Sequence, residues 1–424
     1  MLLNRYAMRD RHEDLRETIE TLVSYPSLPG EEGEVQRWIT EKLESLGFET
    51  YEWDPDPEIL AAHESFPDVE TLDLADRPSV AGVLELGDPD AGPTVVLNGH
   101  ADVVPVTEAD WTSDPFTVRA DGDTLYGRGV LDMKSGLALN VFAARAVADR
   151  AAESETELNG RIVVESVVGE EEGGIGAAVA ARRNPYPFER DAAIVTEPSG
   201  FDAVVAAEGS LMMRLRIFGK SAHAAQAWEG ESVLPHFERI RHAFADLEAE
   251  RCDRVTHPLY ADYETPWPVN VGTVEAGNWA SSVPAELTAE IRIGVAPHET
   301  VAEVEAEFRD RLQAVVDDDA WLREHPPEFE RFSVQFEGSE IDPEEPIVCA
   351  VRSAAADHGV EAPVEGFTGG TDARHLIDAG IPAVVFGPGD LATAHQPDER
   401  IAWSDVKTGT SIVADAAERF LREY

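Results

Sequence analysis

Short apolar runs of strand length alternate with segments of helical period along most of this chain, and a single stretch breaks that alternation. Residues 94–98 (Thr-Val-Val-Leu-Asn) read as a buried strand, 133–150 as a helix, and 161–168 (Arg-Ile-Val-Val-Glu-Ser-Val-Val) as another strand. A helix follows Gly174-Ile175-Gly176 and leads into a strand at 192–195. Strands and helices in this order predict a mostly parallel sheet flanked by helices. Upstream, 11–46 reads as two amphipathic helices broken at Tyr25-Pro26-Ser27-Leu28-Pro29-Gly30. A strand at 49–53 and an irregular Asp- and Pro-rich insertion over 54–78 come next.

Near Gly209 the period changes. Residues 212–218 alternate apolar with polar side chains, the pattern of a half-buried strand. A helix over 232–251, strands at 269–274 and 286–293, a helix over 301–316 and a strand at 332–336 complete the order βαββαβ, the ferredoxin-like unit. From Pro346 the earlier pattern resumes, with a strand around 384–387 and a closing helix from Asp405. The expected fold class is therefore α/β, in two parts. Residues 1–208 and 339–424 form a domain with a mostly parallel mixed sheet. Residues 209–338 form an inserted ferredoxin-like α+β domain.

At 424 residues the chain has room for two or three domains of ~150 residues each. It is 43 % hydrophobic, too apolar for general disorder. No run of ~18 apolar residues exists to span a membrane, and the start, Met1-Leu2-Leu3-Asn4-Arg5, turns polar at once. Cys252 and Cys349 are the only cysteines, which excludes a disulfide framework and a thiolate metal cluster. A cytoplasmic location is the expectation. The 83 Asp and Glu against 34 Lys and Arg give a formal net charge of −49, which argues against nucleic acid and anionic membranes as partners. Only Lys42, Lys134, Lys220 and Lys407 are lysines. Hyperthermophile surfaces gain Lys and Glu together, so the pattern fits a halophile, its carboxylates screened by concentrated salt.

Five segments place His, Asp and Glu beside glycine, mostly at expected strand ends, where open α/β sheets bind ligands. They are Asn98-Gly99-His100-Ala101-Asp102, Gly127-Arg128-Gly129-Val130-Leu131-Asp132-Met133-Lys134, Gly169-Glu170-Glu171-Glu172-Gly173-Gly174, Thr196-Glu197-Pro198 and Thr393-Ala394-His395-Gln396-Pro397-Asp398-Glu399. Taken singly each has an ordinary reading: a Glu-Glu pair in an acidic chain is usually a solvated face, and Thr-Glu-Pro a turn. Order, spacing and setting lift them together. Imidazole and carboxylate without thiolate suit Zn²⁺, Co²⁺ or Mn²⁺. An odd ligand count with one shared carboxylate serves two ions ~3.5–4 Å apart.

Over nearly the whole chain these segments resemble the metal-site motifs of the M20 peptidase/deacylase family, which includes acetylornithine deacetylase and succinyl-diaminopimelate desuccinylase. The resemblance implies two divalent ions, Zn²⁺ first, with Co²⁺ or Mn²⁺ as alternatives. His100 and Glu197 would bind one, Glu171 and His395 the other, and Asp132 would bridge them. Asp102 would orient the His100 imidazole, and Glu170 would be the general base. That register follows the pattern Glu-Glu-x-Gly; the alternative shifts both roles to Glu171 and Glu172. The Asp132–Met133 peptide would be cis. In Lys220-Ser221-Ala222-His223-Ala224, His223 would stabilise the oxyanion, reaching a partner's site in a homodimer formed through the inserted lid. Arg292 would hold the substrate carboxylate, and Gly370 and Thr371 of Gly369-Gly370-Thr371-Asp372 would face the substrate.

The implied function is a dinuclear amidohydrolase acting on an N-acyl amino acid, a related small N-acyl amine or a short peptide. A dipeptidase or carboxypeptidase would use the same metals. Ser281 stands where many relatives carry Asn, and the 54–78 insertion resembles a subgroup that includes a formylaminopyrimidine deformylase. A non-catalytic metal-binding descendant would lack a ligand or the base, and none is missing.

Overall fold

Apolar runs bounded by glycine become strands covered on both faces. The computed structural model describes residues 2–153 and 158–423. In chain order the first part comprises α1 (Leu2–Ser24), α2 (Gly33–Ser45), β1 (Glu49–Trp53), α3 (Pro57–Ala61), β2 (Ser79–Leu86), β3 (Thr94–His100), β4 (Arg119–Asp121) and β5 (Thr124–Tyr126). It continues through α4 (Lys134–Glu153), β6 (Gly160–Val167), α5 (Ile175–Arg182), β7 (Ala192–Val195) and β8 (Ala203–Ala207). There follow β9 (Gly209–Phe218), α6 (Val233–Arg254), β10 (Val269–Ala276), β11 (Glu286–Val295), α7 (Val301–Asp317), α8 (Ala320–Glu324) and β12 (Glu328–Arg331). The chain ends with β13 (Ser339–Glu340), α9 (Pro346–Asp357), β14 (Val364–Phe367), α10 (Ala373–Asp378), β15 (Ala383–Val385), β16 (Arg400–Ala402) and α11 (Trp403–Glu423).

Nine strands form the central sheet in the order β1-β2-β6-β3-β7-β15-β8-β13, with β14 pairing β8. The middle of it, β6-β3-β7-β15, is parallel. Side chains alternate across a strand, and the two faces have separate cores. Val95, Leu97, Ile162 and Val164 pack with α1, α2, α4, α9 and α11. Val96, Val163, Val167, Ala193 and Val195 pack with α3, α5 and α10. Because β3, β6, β7 and β15 run the same way, their C-terminal ends share one edge. A small sheet, β16-β5-β4, ties residues 127–134 to 395–400 beside that edge; Gly127 N–H donates to the Glu399 carbonyl at 3.1 Å.

The sheet β10-β11-β9-β12 is separate and wholly antiparallel. The helices α6 and α7 cover one of its faces through Phe244, Phe308, Val304 and Ile240. Its last strand is not at 332–336, as the apolar alternation there predicts, but at β12, four residues earlier. The alternation serves another contact. A Cβ at Gly173 would lie 2.2 Å from Val334, and one at Gly370 2.2 Å from Phe336. Phe329 is the one apolar residue of β12 and supplies its core contact, so its pattern is faint. The 54–78 insertion is also more ordered than expected: Asp56 accepts from the N–H groups of Glu58 and Ile59 and starts α3. Among the described residues, no helix is long and apolar enough to cross a membrane.

Candidate active site

His100 is the last residue of β3, paired with Val167 of β6, while Asn98 pairs with Val195 of β7. This register brings the turn after β6, which carries Glu170 and Glu171, and the loop after β7, which carries Glu197, to the same end of the sheet. Asp132 enters just ahead of α4, and the Asp132–Met133 peptide is cis. His395 lies between β15 and β16.

These residues converge as two triads that share Asp132: His100, Asp132, Glu197 and Asp132, Glu171, His395. His100 Nε2 stands 3.2 Å from Asp132 Oδ1 and 3.6 Å from Glu197 Oε1. His395 Nε2 stands 3.2 Å from Asp132 Oδ2 and 3.1 Å from Glu171 Oε1. Ligands at ~2.0–2.1 Å around a tetrahedral ion are about 3.3 Å apart. Each triad thus offers one imidazole nitrogen and two carboxylate oxygens at the spacing a divalent ion requires.

Buried polar groups fix the triads from behind. His100 Nδ1 lies 3.0 Å from the Asp102 carbonyl oxygen, leaving Nε2 to face the carboxylates. The Asp102 carboxylate is 3.6 Å from that ring, farther than its carbonyl. The carboxylate accepts instead from the N–H groups of Glu170 (3.3 Å) and Glu171 (3.0 Å), so Asp102 braces both the imidazole and the glutamate turn. Gly173 in that turn has φ +98° and no room for a Cβ, which explains its glycine. Glu171 meets His395, whereas Glu172 turns to Arg77 at 2.6 Å, and Arg77 also pairs with Glu32. Arg77 and Glu32 are fully buried.

Burial and close carboxylates set the electrostatics of the cluster. Burial pushes the Glu170 and Glu197 carboxyls well above the usual range. Burial opposes charge on His100 too, yet Glu197, Asp102 and Asp132 outweigh it and hold the ring's pKa well above the ordinary value. Neither triad contains a Lys or Arg. The donor set fits two divalent cations, which would replace the protons these groups otherwise share.

The other expected site residues are placed less centrally. Thr371 is buried and its hydroxyl has no partner. Gly370 lies under Phe336, and the adjoining Asp372 reaches the glutamate turn, its Oδ1 2.5 Å from where a Gly174 Cβ would sit. Arg292, on β11, donates to Glu208 at 2.9 Å. His223 is exposed; its Nδ1 accepts from Ala225 N–H, and it bridges Ser282. These contacts lie in the β9–β12 part of the chain, and His223 is not among the residues of either triad.

The sequence reading assigned no role to Glu399, Asp372 or Arg77. Glu399 is buried; it accepts from the N–H groups of Leu131 (2.9 Å) and Asp132 (3.2 Å) and pairs with Arg128. It lay inside the segment that pointed to His395. Both oxygens of buried Asp372 lack partners. Arg77 had no local signal, because its charged partners, Glu32 and Glu172, lie far off in sequence.

The sequence profile of peptidase family M20/M25/M40 matches residues 96–419, and the chain belongs to that family. An N-formyl-4-amino-5-aminomethyl-2-methylpyrimidine deformylase of Bacillus subtilis is 29% identical over 432 residues, 96% of this chain and 95% of that protein. A succinyl-diaminopimelate desuccinylase of Stenotrophomonas maltophilia is 31% identical over 362 residues, 80% of this chain and 89% of that protein. The structure of an M20 family metallo-carboxypeptidase from Sulfolobus solfataricus matches with a TM-score of 0.75 at 17% identity, over 96% of this chain and 99% of that one, a likeness of fold. The protein is a metal-dependent hydrolase acting on amide bonds.

Proposed function

We propose that this protein is a dinuclear-metal amidohydrolase that releases the amine from an N-acyl amino acid or related small N-acyl amine. The observation that carries the reading is Asp132 standing 3.2 Å from both His100 and His395, one oxygen to each. His100 and Glu197 would hold one ion, Glu171 and His395 the other, with Asp132 between; Zn²⁺ suits this donor set best, then Co²⁺ or Mn²⁺. When bound, two such ions polarise the scissile carbonyl and acidify water. Glu170 takes a proton from the attacking water as its oxygen bonds to the acyl carbon. The C–N bond then breaks, and Glu170 returns the proton to the leaving amine. Asp102 holds the backbone of Glu170 through this transfer. Thr371 and Gly370 line the substrate's side of the turn, and Arg292 takes the substrate carboxylate as a guanidinium fork.

We further assign the β9–β12 unit, within residues 209–338, as a lid that pairs two copies. The strand β10 is an edge of its sheet, and Val274 on it, Trp279 just after it and Trp228 of the 224–229 turn are exposed. A homodimer through this edge gives His223, which sits beside Ser282 in the same region, access to the other copy's oxyanion. A cytoplasmic, salt-adapted enzyme fits the composition.

A second reading is favoured by the Bacillus subtilis relative, which spans 96% of this chain: an N-formyl amine as substrate. The test is hydrolysis of N-acetylornithine, N-acetylmethionine, Ala-Gly and an N-formyl aminopyrimidine by Zn²⁺- or Co²⁺-loaded protein. Turnover of an acetyl substrate upholds the first reading. Turnover of the formyl compound alone replaces it with the second, and of Ala-Gly alone with a dipeptidase.

A further inference from the structure

Glu208 is the single residue between β8 of the central sheet and β9 of the lid sheet. It is 2 % exposed, and its Oε1 accepts from Arg292 Nη1 at 2.9 Å. Gly294, two residues beyond Arg292, makes room for it: a Cβ there would lie 2.7 Å from Glu208 Oε1. Arg292 projects from the face of the lid sheet that α6 and α7 leave uncovered, alternating with the core residues Ile291 and Ile293, and its side chain is 30% exposed. A guanidinium can serve two carboxylates, but here one of them is buried and belongs to the protein.

We propose that Glu208 is the resting partner of Arg292 and yields it to the carboxylate of the substrate, so that Glu208 sets the site's preference for carboxylate-bearing substrates. This rests on Arg292 being the carboxylate clamp. The exchange balances as follows. The Arg292–Glu208 pair breaks, and an Arg292–substrate pair forms. Glu208, left buried without a cation, takes one proton from solvent. Burial already pushes its carboxyl up to about 7 against the pull of Arg292. The groups facing it are few. Arg292 comes from β11. Tyr260 comes from the turn at Pro258–Tyr260, and burial raises its phenol so that it stays protonated. From α6, Arg251 bonds the Gly294 carbonyl at 3.2 Å. The last residue of β14 contributes the Phe367 carbonyl, which accepts from Glu208 N–H. His257 stands behind the Tyr260 ring, paired with Glu340.

Below pH 7 Glu208 carries its own proton and Arg292 is free; above pH 7 the substrate must displace a charged competitor. The affinity for an acid, relative to its uncharged amide, therefore falls about tenfold from pH 6 to pH 8, one proton per site. The probes are N-acetylmethionine and its carboxamide, titrated calorimetrically into Zn²⁺-loaded protein carrying Glu170→Gln, so that neither is consumed. Buffers of different ionisation enthalpy report proton uptake. With Glu208→Gln added, the acid-to-amide ratio should be flat with pH and about tenfold above the parent at pH 8, with no proton uptake. With Glu208→Asp the pH slope should persist. A lower ratio in Glu208→Gln, or an unchanged slope, overturns the exchange: Glu208 would then support Arg292 rather than compete for it. Arg292→Ala separates the two claims. An acid preference that survives it, or no binding of the acid to the parent at all, overturns the clamp itself.

Discussion

Asp132 gives one carboxylate oxygen to each of two histidines, 3.2 Å to His100 Nε2 and 3.2 Å to His395 Nε2. One histidine ends a strand near the start of the parallel sheet; the other sits on a loop after its last parallel strand. A carboxylate shared in this way has the arrangement of a bridge between two ions.

The proposed base and ligand, Glu170 and Glu171, are adjacent residues and separate by assay. Glu170→Gln should keep two ions per chain while kcat falls at least ~100-fold, the usual scale for a lost acid–base group. Glu171→Ala should lose one ion. Elemental analysis with steady-state rates checks both. A lost ion in Glu172→Ala instead would move both roles one residue along, although Glu172 lies on Arg77.

The residues behind the proposed ligands should act on different ions. Glu399 holds the Leu131 and Asp132 amides, so Glu399→Ala should weaken both sites, by ~10–100-fold as is usual when a supporting partner is removed. Arg77 pairs with Glu172, the residue next to Glu171, as well as with Glu32, so Arg77→Met should weaken the ion at Glu171 more than the one at His100. Chelator competition resolving two affinities is the measurement.

Legibility followed locality. The parallel sheet and the five ligand segments were readable because each is a short run whose glycines and period declare a strand end. The Asp102 carboxylate lies 3.6 Å from the His100 ring, as expected, but the 3.0 Å contact of its carbonyl was not legible, because no sequence signal separates a side chain from its own backbone as the acceptor. Buried Arg77 and Glu32 meet half-buried Glu172 only after distant segments pack, so in sequence each looks like another surface charge. The strand expected at 332–336 failed for a related reason. Its alternation is real, but Val334 and Phe336 face the glutamate turn and the Gly370 loop rather than α6 and α7.

If His223 serves the other copy's site, two inactive variants should rescue each other. Mixing His223→Ala with Glu170→Gln protomers should restore hydrolysis in heterodimers. No recovery in verified heterodimers places His223 in its own site or outside the reaction.

The charge of −49 carries the proposal of salt adaptation. At 0.01 M salt the screening length is ~30 Å and carboxylates repel across the whole surface; at 1 M it is ~3 Å. A stability of only ~5–15 kcal/mol leaves little to oppose that repulsion. The melting temperature should therefore be higher in about 3 M KCl than in about 0.1 M. Equal values would refute salt adaptation without touching the metal site.

Diffraction at the zinc absorption edge from crystals grown with Zn²⁺ tests the shared site most directly. Two anomalous peaks are expected, ~3.5–4 Å apart, one beside His100 and Glu197, the other beside Glu171 and His395, with Asp132 between them. A single peak, or peaks that leave Asp132 uncoordinated, would contradict it.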